Sequence, residues 1–107
     1  MEKYIKIDKI SDVSDDKWAL LSNEIKKGSL IIYPTDTVYG LGAVITNEQS
    51  INNVYLAKSR SFTSPLIALL SSVNKVEEVA YISDKNKNLL EKLAKAFWPG
   101  ALTVILK

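Results

Sequence analysis

Three short apolar runs, each beginning or ending within two residues of one of the chain's three prolines, alternate with stretches whose apolar residues recur at helical spacing. This alternation restricts the chain to a layered α/β arrangement, because each strand and each helix must bury one face against the other. The first run, residues 29–33 (SLIIY), is almost wholly apolar and stopped by Pro34, which predicts a strand buried on both faces. The second, residues 65–70 (PLIALL), predicts a buried strand entered at its first position, where proline is tolerated. The third, residues 101–106 (ALTVIL), predicts another strand after Trp98-Pro99-Gly100.

Between these runs lie the predicted helices. From about Asp16 the residues Trp18, Leu21 and Ile25 share a helical face, and Lys26-Lys27-Gly28 supplies a basic last turn and a terminal glycine. Asn47 caps a second helix with Ile51, Val54 and Tyr55 inward, ending near Lys58. Residues 73–80 form a short helix, and Asp84 caps a longer one with Leu89, Leu90, Leu93 and Phe97 inward. That helix stops near Trp98, which Pro99 biases away from helical geometry. The alternating residues 3–8 (KYIKID) predict a half-buried strand, and residues 43–46 a further short one. The expected fold is thus α/β, a twisted mixed sheet with helices packed on it.

No repeat, linker or low-complexity segment divides the 107 residues, so they are expected to lie in one domain, 1–107. The chain stops directly after an apolar strand, an element that is usually central and needs neighbours, which predicts the first part of a larger domain. No apolar run is long enough to span a bilayer, and the charged N-terminus resembles no targeting peptide, so a cytoplasmic location is expected.

The chain has no cysteine and no histidine. Disulfides, thiolate nucleophiles and zinc–thiolate sites are excluded, and so is every Ser-His or Cys-His arrangement. Any chemistry must use hydroxyls, carboxylates, lysine, arginine and backbone amides, which favours positioning and charge stabilisation over covalent catalysis. With 14 basic and 12 acidic residues the balance does not by itself mark a nucleic-acid binder.

Two segments carry candidate chemistry. In residues 33–42 (YPTDTVYGLG), Gly40 and Gly42 lack the third glycine of a dinucleotide loop, and no Walker-type phosphate loop occurs. A tight turn or close backbone packing accounts for them as well as a ligand does. Thr35, Asp36 and Thr37 stand just past the end of a strand, where open α/β sheets bind ligands. The threonine hydroxyls can grip a small metabolite or a phosphate, and Asp36 can hold a metal or cap a turn. A turn closed by these side chains is the other reading. In residues 58–66 (KSRSFTSPL), Lys58 and Arg60 can converge into an anion clamp only if the helix has ended and the chain leaves it extended, since residues two apart point the same way in extended chain and nearly opposite ways on a helix. Otherwise they simply complement the helix dipole.

Taken together, YPTDTVYGLG, the K-x-R segment followed by a proline and an apolar run, and WPGALT resemble the YrdC-like family of threonylcarbamoyl-AMP synthases from about residue 20 onward. The resemblance implies an α/β twisted sheet with a basic concave face. It implies an ATP-dependent nucleotidyltransferase that joins L-threonine, bicarbonate and ATP into threonylcarbamoyl-adenylate, releasing pyrophosphate, with Mg2+ accompanying the nucleotide. A downstream transfer complex then passes the group to tRNA. By matching position, Thr37 contacts threonine and Thr35 lines the same cavity. Lys58 and Arg60 act as the catalytic and phosphate-binding clamp, Ser64 lies near ATP, and Thr103 follows the second glycine-bearing motif. No protein metal ligand is implied.

The chain departs from that pattern at Ser61 and Ser64, where relatives carry proline and a lysine or asparagine, and at Leu69, where some carry a threonine-contacting histidine. Ala101 replaces a second proline, and the later S-x-N motif of the family has no counterpart. On that ground the 107 residues alone are expected not to form the adenylate. Two alternatives follow: a double-stranded RNA or tRNA-binding module without enzymatic activity, and an inactive truncated homologue. Salt-sensitive RNA binding that is lost when Lys58 and Arg60 are changed together would single out the former.

Overall fold

A computed structural model describes residues 6 and 8–107. Most of the strand predicted over residues 3–8 lies outside the described residues. The chain divides into two compact units, one running up to Pro65 and the other spanning Leu66–Lys107.

In the first unit a single 3-10 turn, Ile10–Asp12, leads through the buried Val13 to helix α1, Asp15–Lys26. The Ser14 hydroxyl accepts from the Lys17 N–H at 3.4 Å, Asp15 and Asp16 occupy the first turn, and Lys26 the last. Both ends therefore carry the charge that complements the helix dipole. Leu21 and Ile25 are half-buried as their spacing predicts, whereas Trp18 is exposed. The helix closes at Gly28, with φ of 105°. There the Gly28 N–H donates to the Ile25 carbonyl at 3.0 Å and the Ser29 N–H to the Glu24 carbonyl at 3.1 Å. These two bonds form a Schellman closure, which needs positive φ at the residue that glycine fills.

Strands β1, Ile31–Tyr33, and β2, Gly40–Gly42, pair antiparallel with Tyr33 opposite Gly40 and Ile31 opposite Gly42. Helix α2, Glu48–Ala57, lies against β2. Its N-terminus is capped as predicted: the Asn47 side-chain oxygen accepts from the Ser50 N–H at 3.0 Å. The Ser50 hydroxyl, in a residue only 1% exposed, donates to the Gly28 carbonyl at 2.9 Å. Because Gly28 precedes β1, this bond holds the start of α2 at the open end of the hairpin, opposite residues 34–39. Val54 and Tyr55 are buried and Ile51 half-buried, in accord with the helical spacing.

The second unit contains a 3-10 segment, Val73–Glu78, and helix α3, Asp84–Phe97. Val76, Leu90 and Ala94 form its buried core. Leu89, read as inward, is exposed because it stands about 100° around the helix from the Leu90–Ala94 line. Phe97, also read as inward, falls in the last turn and is exposed. Asp84 is the first helical residue rather than the cap, a place taken by Ser83. After α3 the Trp98 indole N–H donates to the Leu102 carbonyl at 2.7 Å, and Gly100 lies so close to the Phe97 carbonyl oxygen that no Cβ would fit. The Lys87 ammonium bonds the Glu77 carboxylate at 2.9 Å, and this bond holds the Lys87 pKa above its ordinary value.

The α/β class stands, but the sheet among the described residues is the two-stranded hairpin alone. Four strand expectations are corrected. Residues 65–70 and 101–106 form no strand, because apolar β-rich sequence becomes a strand only where a neighbour accepts its ladder bonds, and neither segment pairs in a ladder here. The second strand lies at Gly40–Gly42 rather than residues 43–46. Finally, β1 is not buried on both faces: its central Ile32 is 74% exposed, since the side chains of a strand alternate between faces and only one face is covered.

Candidate functional site

The first candidate segment is the loop joining β1 to β2. Pro34 ends β1, and the next three residues fold into a turn closed by their own hydroxyls. The Thr37 N–H donates to the Thr35 hydroxyl oxygen at 3.2 Å, the two threonine hydroxyls stand 3.5 Å apart, and the Thr35 hydroxyl donates to the Val38 carbonyl. The local side-chain turn weighed against a ligand role is therefore present. It also brings the two predicted hydroxyls together, exposed at the tip of the hairpin. With its proton committed to Val38, Thr35 can only accept within the pair, so the Thr37 hydroxyl is the donor between them and keeps its lone pairs free to accept. Asp36 between them is exposed. Among the described residues no three histidine, cysteine or acidic side chains come together as a metal site.

The glycines of this stretch have a structural reason to be glycines. A Cβ on Gly40 would meet the Tyr33 ring at 2.7 Å, and one on Gly42 would meet it at 2.9 Å. The ring of Tyr33 thus lies across both, filling the space that side chains on β2 would take. Of the two readings left open for these residues, close packing is the one observed.

The second segment begins where α2 ends. Lys58 is the last residue with helical backbone, Ser59 has φ of 48°, and Arg60 follows. The Ser59 N–H donates to the Leu56 carbonyl at 3.1 Å and the Arg60 N–H to the Tyr55 carbonyl at 3.0 Å. This is again a Schellman closure, with serine where glycine is usual. The helix has therefore ended at Lys58, but Lys58 itself keeps helical backbone and Ser59 is left-handed, so the two cations are not joined by the extended chain that the clamp reading requires. Both side chains are exposed, and neither forms an ion pair with a carboxylate among the described residues.

Beyond Arg60 lies a hydroxyl pair that the sequence reading passed over. The Ser61 and Thr63 hydroxyls are 2.7 Å apart, and the Thr63 N–H donates to the Ser61 hydroxyl at 3.3 Å. Thr35-x-Thr37 and Ser61-x-Thr63 thus build the same device, and the shared hydroxyl-x-threonine pattern was the available signal. Ser64, predicted near ATP, is half-buried; its N–H donates to the Ser61 carbonyl at 3.0 Å and its carbonyl accepts from the Tyr55 hydroxyl at 2.6 Å. Thr35, Thr37, Lys58, Arg60 and Ser64 all fall within the first unit, whereas Leu69 and Thr103, both exposed, belong to the second.

Comparison with known proteins bears on what these groups serve. The Sua5/YciO/YrdC family model, described as "Telomere recombination", matches residues 23–107. The chain is 38% identical over 106 residues to a putative threonylcarbamoyl-AMP synthase of Methanocaldococcus jannaschii, an alignment covering 98% of this chain and 49% of the relative. It is 36% identical over 94 residues to the threonylcarbamoyl-AMP synthase of Pyrococcus abyssi, covering 88% of this chain and 27% of the relative. Among solved structures, Pyrococcus abyssi Sua5 complexed with L-threonine superposes with a TM-score of 0.72 at 35% identity, covering 82% of this chain and 25% of that one. The chain thus spans half or less of the length of these relatives.

Proposed function

The chain belongs to the Sua5/YciO/YrdC family, and from that premise we propose that it contributes L-threonine and ATP recognition to the synthesis of threonylcarbamoyl-AMP. The observation that carries this reading is the pair of exposed hydroxyls on Thr35 and Thr37, 3.5 Å apart, in a chain whose solved relative holds L-threonine.

The reaction asks little covalent chemistry of a protein. The amine of threonine and bicarbonate condense to a carbamate with loss of water. One carbamate oxygen then forms a bond to the α-phosphorus of ATP as the bond from that phosphorus to the pyrophosphate oxygen breaks. Two anions must be aligned and their charge offset, and no enzyme nucleophile or histidine is needed. The Thr37 hydroxyl meets the amino acid, with Thr35 holding the loop in shape. Lys58 and Arg60 offset the phosphate and carbamate charge, the guanidinium by paired hydrogen bonds and the ammonium as a point charge. Ser64 lies on the nucleotide side. Magnesium, when bound with the nucleotide, would offset the charge of the leaving pyrophosphate. The protein's donor set suits an ion carried on the nucleotide, since Mg2+ keeps several waters and needs few carboxylates. The product would feed a transfer step to tRNA in the cytoplasm.

Calorimetric titration tests the reading. L-threonine and ATP should each bind the parent chain. Thr37→Val should weaken L-threonine by about tenfold, and Arg60→Ala should weaken ATP by at least as much, with folding intact in both. Threonine binding to Thr37→Val indistinguishable from the parent would remove Thr37 from the site.

A further inference from the structure

The geometry of the α2 exit points to Tyr55 as a positioning residue for the phosphate clamp, an inference that rests on the reading of Lys58 and Arg60 above. Tyr55 is 9% exposed and sits in the last turn of α2. It holds the segment after the helix in three separate ways. Its carbonyl accepts from the Arg60 N–H at 3.0 Å, its ring packs at a tilt of 37° against Phe62 with centroids 5.1 Å apart, and its hydroxyl donates to the Ser64 carbonyl at 2.6 Å. Every second residue from Arg60 to Ser64 is thus tied to one side chain and its backbone. The residues between, Ser61 and Thr63, are tied to each other.

A tyrosine serving only the core would need no hydroxyl, since phenylalanine fills nearly the same volume. Here the hydroxyl reaches a backbone carbonyl nine residues on, so its effect is to fix the course of the chain. That matters for a guanidinium that must meet phosphate. The stem of Arg60 leaves from backbone already held by the Tyr55 carbonyl on one side and the Ser64 tie on the other. Less freedom is then lost when the anion arrives, and affinity rises by preorganisation rather than by a new contact. Ser59 contributes at the other end, since its left-handed backbone turns the chain between the two cations.

The test uses the full chain and the variant Tyr55→Phe, which keeps the ring and removes one oxygen. Amide hydrogen exchange at Ser64 and Arg60 should speed on the order of fivefold while amides in the middle of α2 stay unchanged. Affinity for ATP should fall about three- to tenfold with L-threonine affinity unchanged. Equal losses for both ligands, or no loss for ATP, would overturn the positioning role, since general loosening does not choose between ligands. Should the parent chain fail to bind ATP, the proposed function falls, and exchange at Ser64 and Arg60 decides on Tyr55: unchanged protection overturns it there too. A second variant, Tyr55→Leu with thermal unfolding recorded, separates the ring from the hydroxyl. It should lose protection at Ser64 as Tyr55→Phe does, and should unfold at a lower temperature than Tyr55→Phe because the ring contact with Phe62 is also gone.

Discussion

Helices α1 and α2 end in the same hydrogen-bond pattern, yet one turn is made by Gly28 and the other by Ser59. Around Gly28 the chain is crowded: a Cβ there would meet the Ser50 hydroxyl oxygen at 2.8 Å and the Asn47 amide nitrogen at 3.1 Å, both at the start of α2. Ser59 is exposed between two exposed cations. The first exit is a joint between two helices and tolerates no side chain. The second carries its side chain freely but pays for a left-handed backbone that glycine would adopt without strain. Strain of this kind tends to persist where the surroundings over-determine it, and at Ser59 the surroundings are the Tyr55 ties.

The comparison is most directly broken at Gly28. Gly28→Ala should lower stability by about 2–4 kcal/mol, combining left-handed strain with loss of the Ser50 bond, and should appear as a reduced urea midpoint at constant slope. A change below about 0.5 kcal/mol would mean that the joint is not close-packed. Next in size is Ser50→Ala, which leaves the half-buried Gly28 carbonyl without its partner. It should cost about 1–2 kcal/mol in the same measurement, and a null result would show that water replaces the hydroxyl. The smallest effect has the opposite sign. Ser59→Gly should raise stability by about 0.5–1 kcal/mol, the relief of backbone strain exceeding the extra freedom of the unfolded chain. Destabilisation instead would show that the serine side chain itself supports the α2 exit, and the two closures would no longer differ only in strain.

The helix ends were legible in the sequence because their signals are local. Asn47 caps with its own side chain, Gly28 terminates with its own backbone, and Pro99 acts on the residue before it. The strands were not, because a strand is defined by a partner. PLIALL and ALTVIL have the composition of strands but no ladder among the described residues, whereas Gly-Leu-Gly has poor β-propensity and pairs because Tyr33 supplies the missing bulk from across the hairpin. The same division runs through the candidate site. The Thr35–Thr37 turn and the end of α2 at Lys58 follow from near neighbours. The second role of Tyr55 does not, since its hydroxyl partner is a main-chain carbonyl that any residue at position 64 would offer.

The aromatic ring laid over Gly40 and Gly42 also acts as a ruler. A glycine-bearing strand of three residues specifies its alignment weakly, and on its own it could slide along β1. With Tyr33 seated against both glycines, the pairing of Tyr33 with Gly40 is selected, and six residues, 34–39, are left to span the gap. A shift of alignment would lengthen or shorten that span. The length of the loop that presents a polar pair at the surface is thereby set by an aromatic side chain outside the turn.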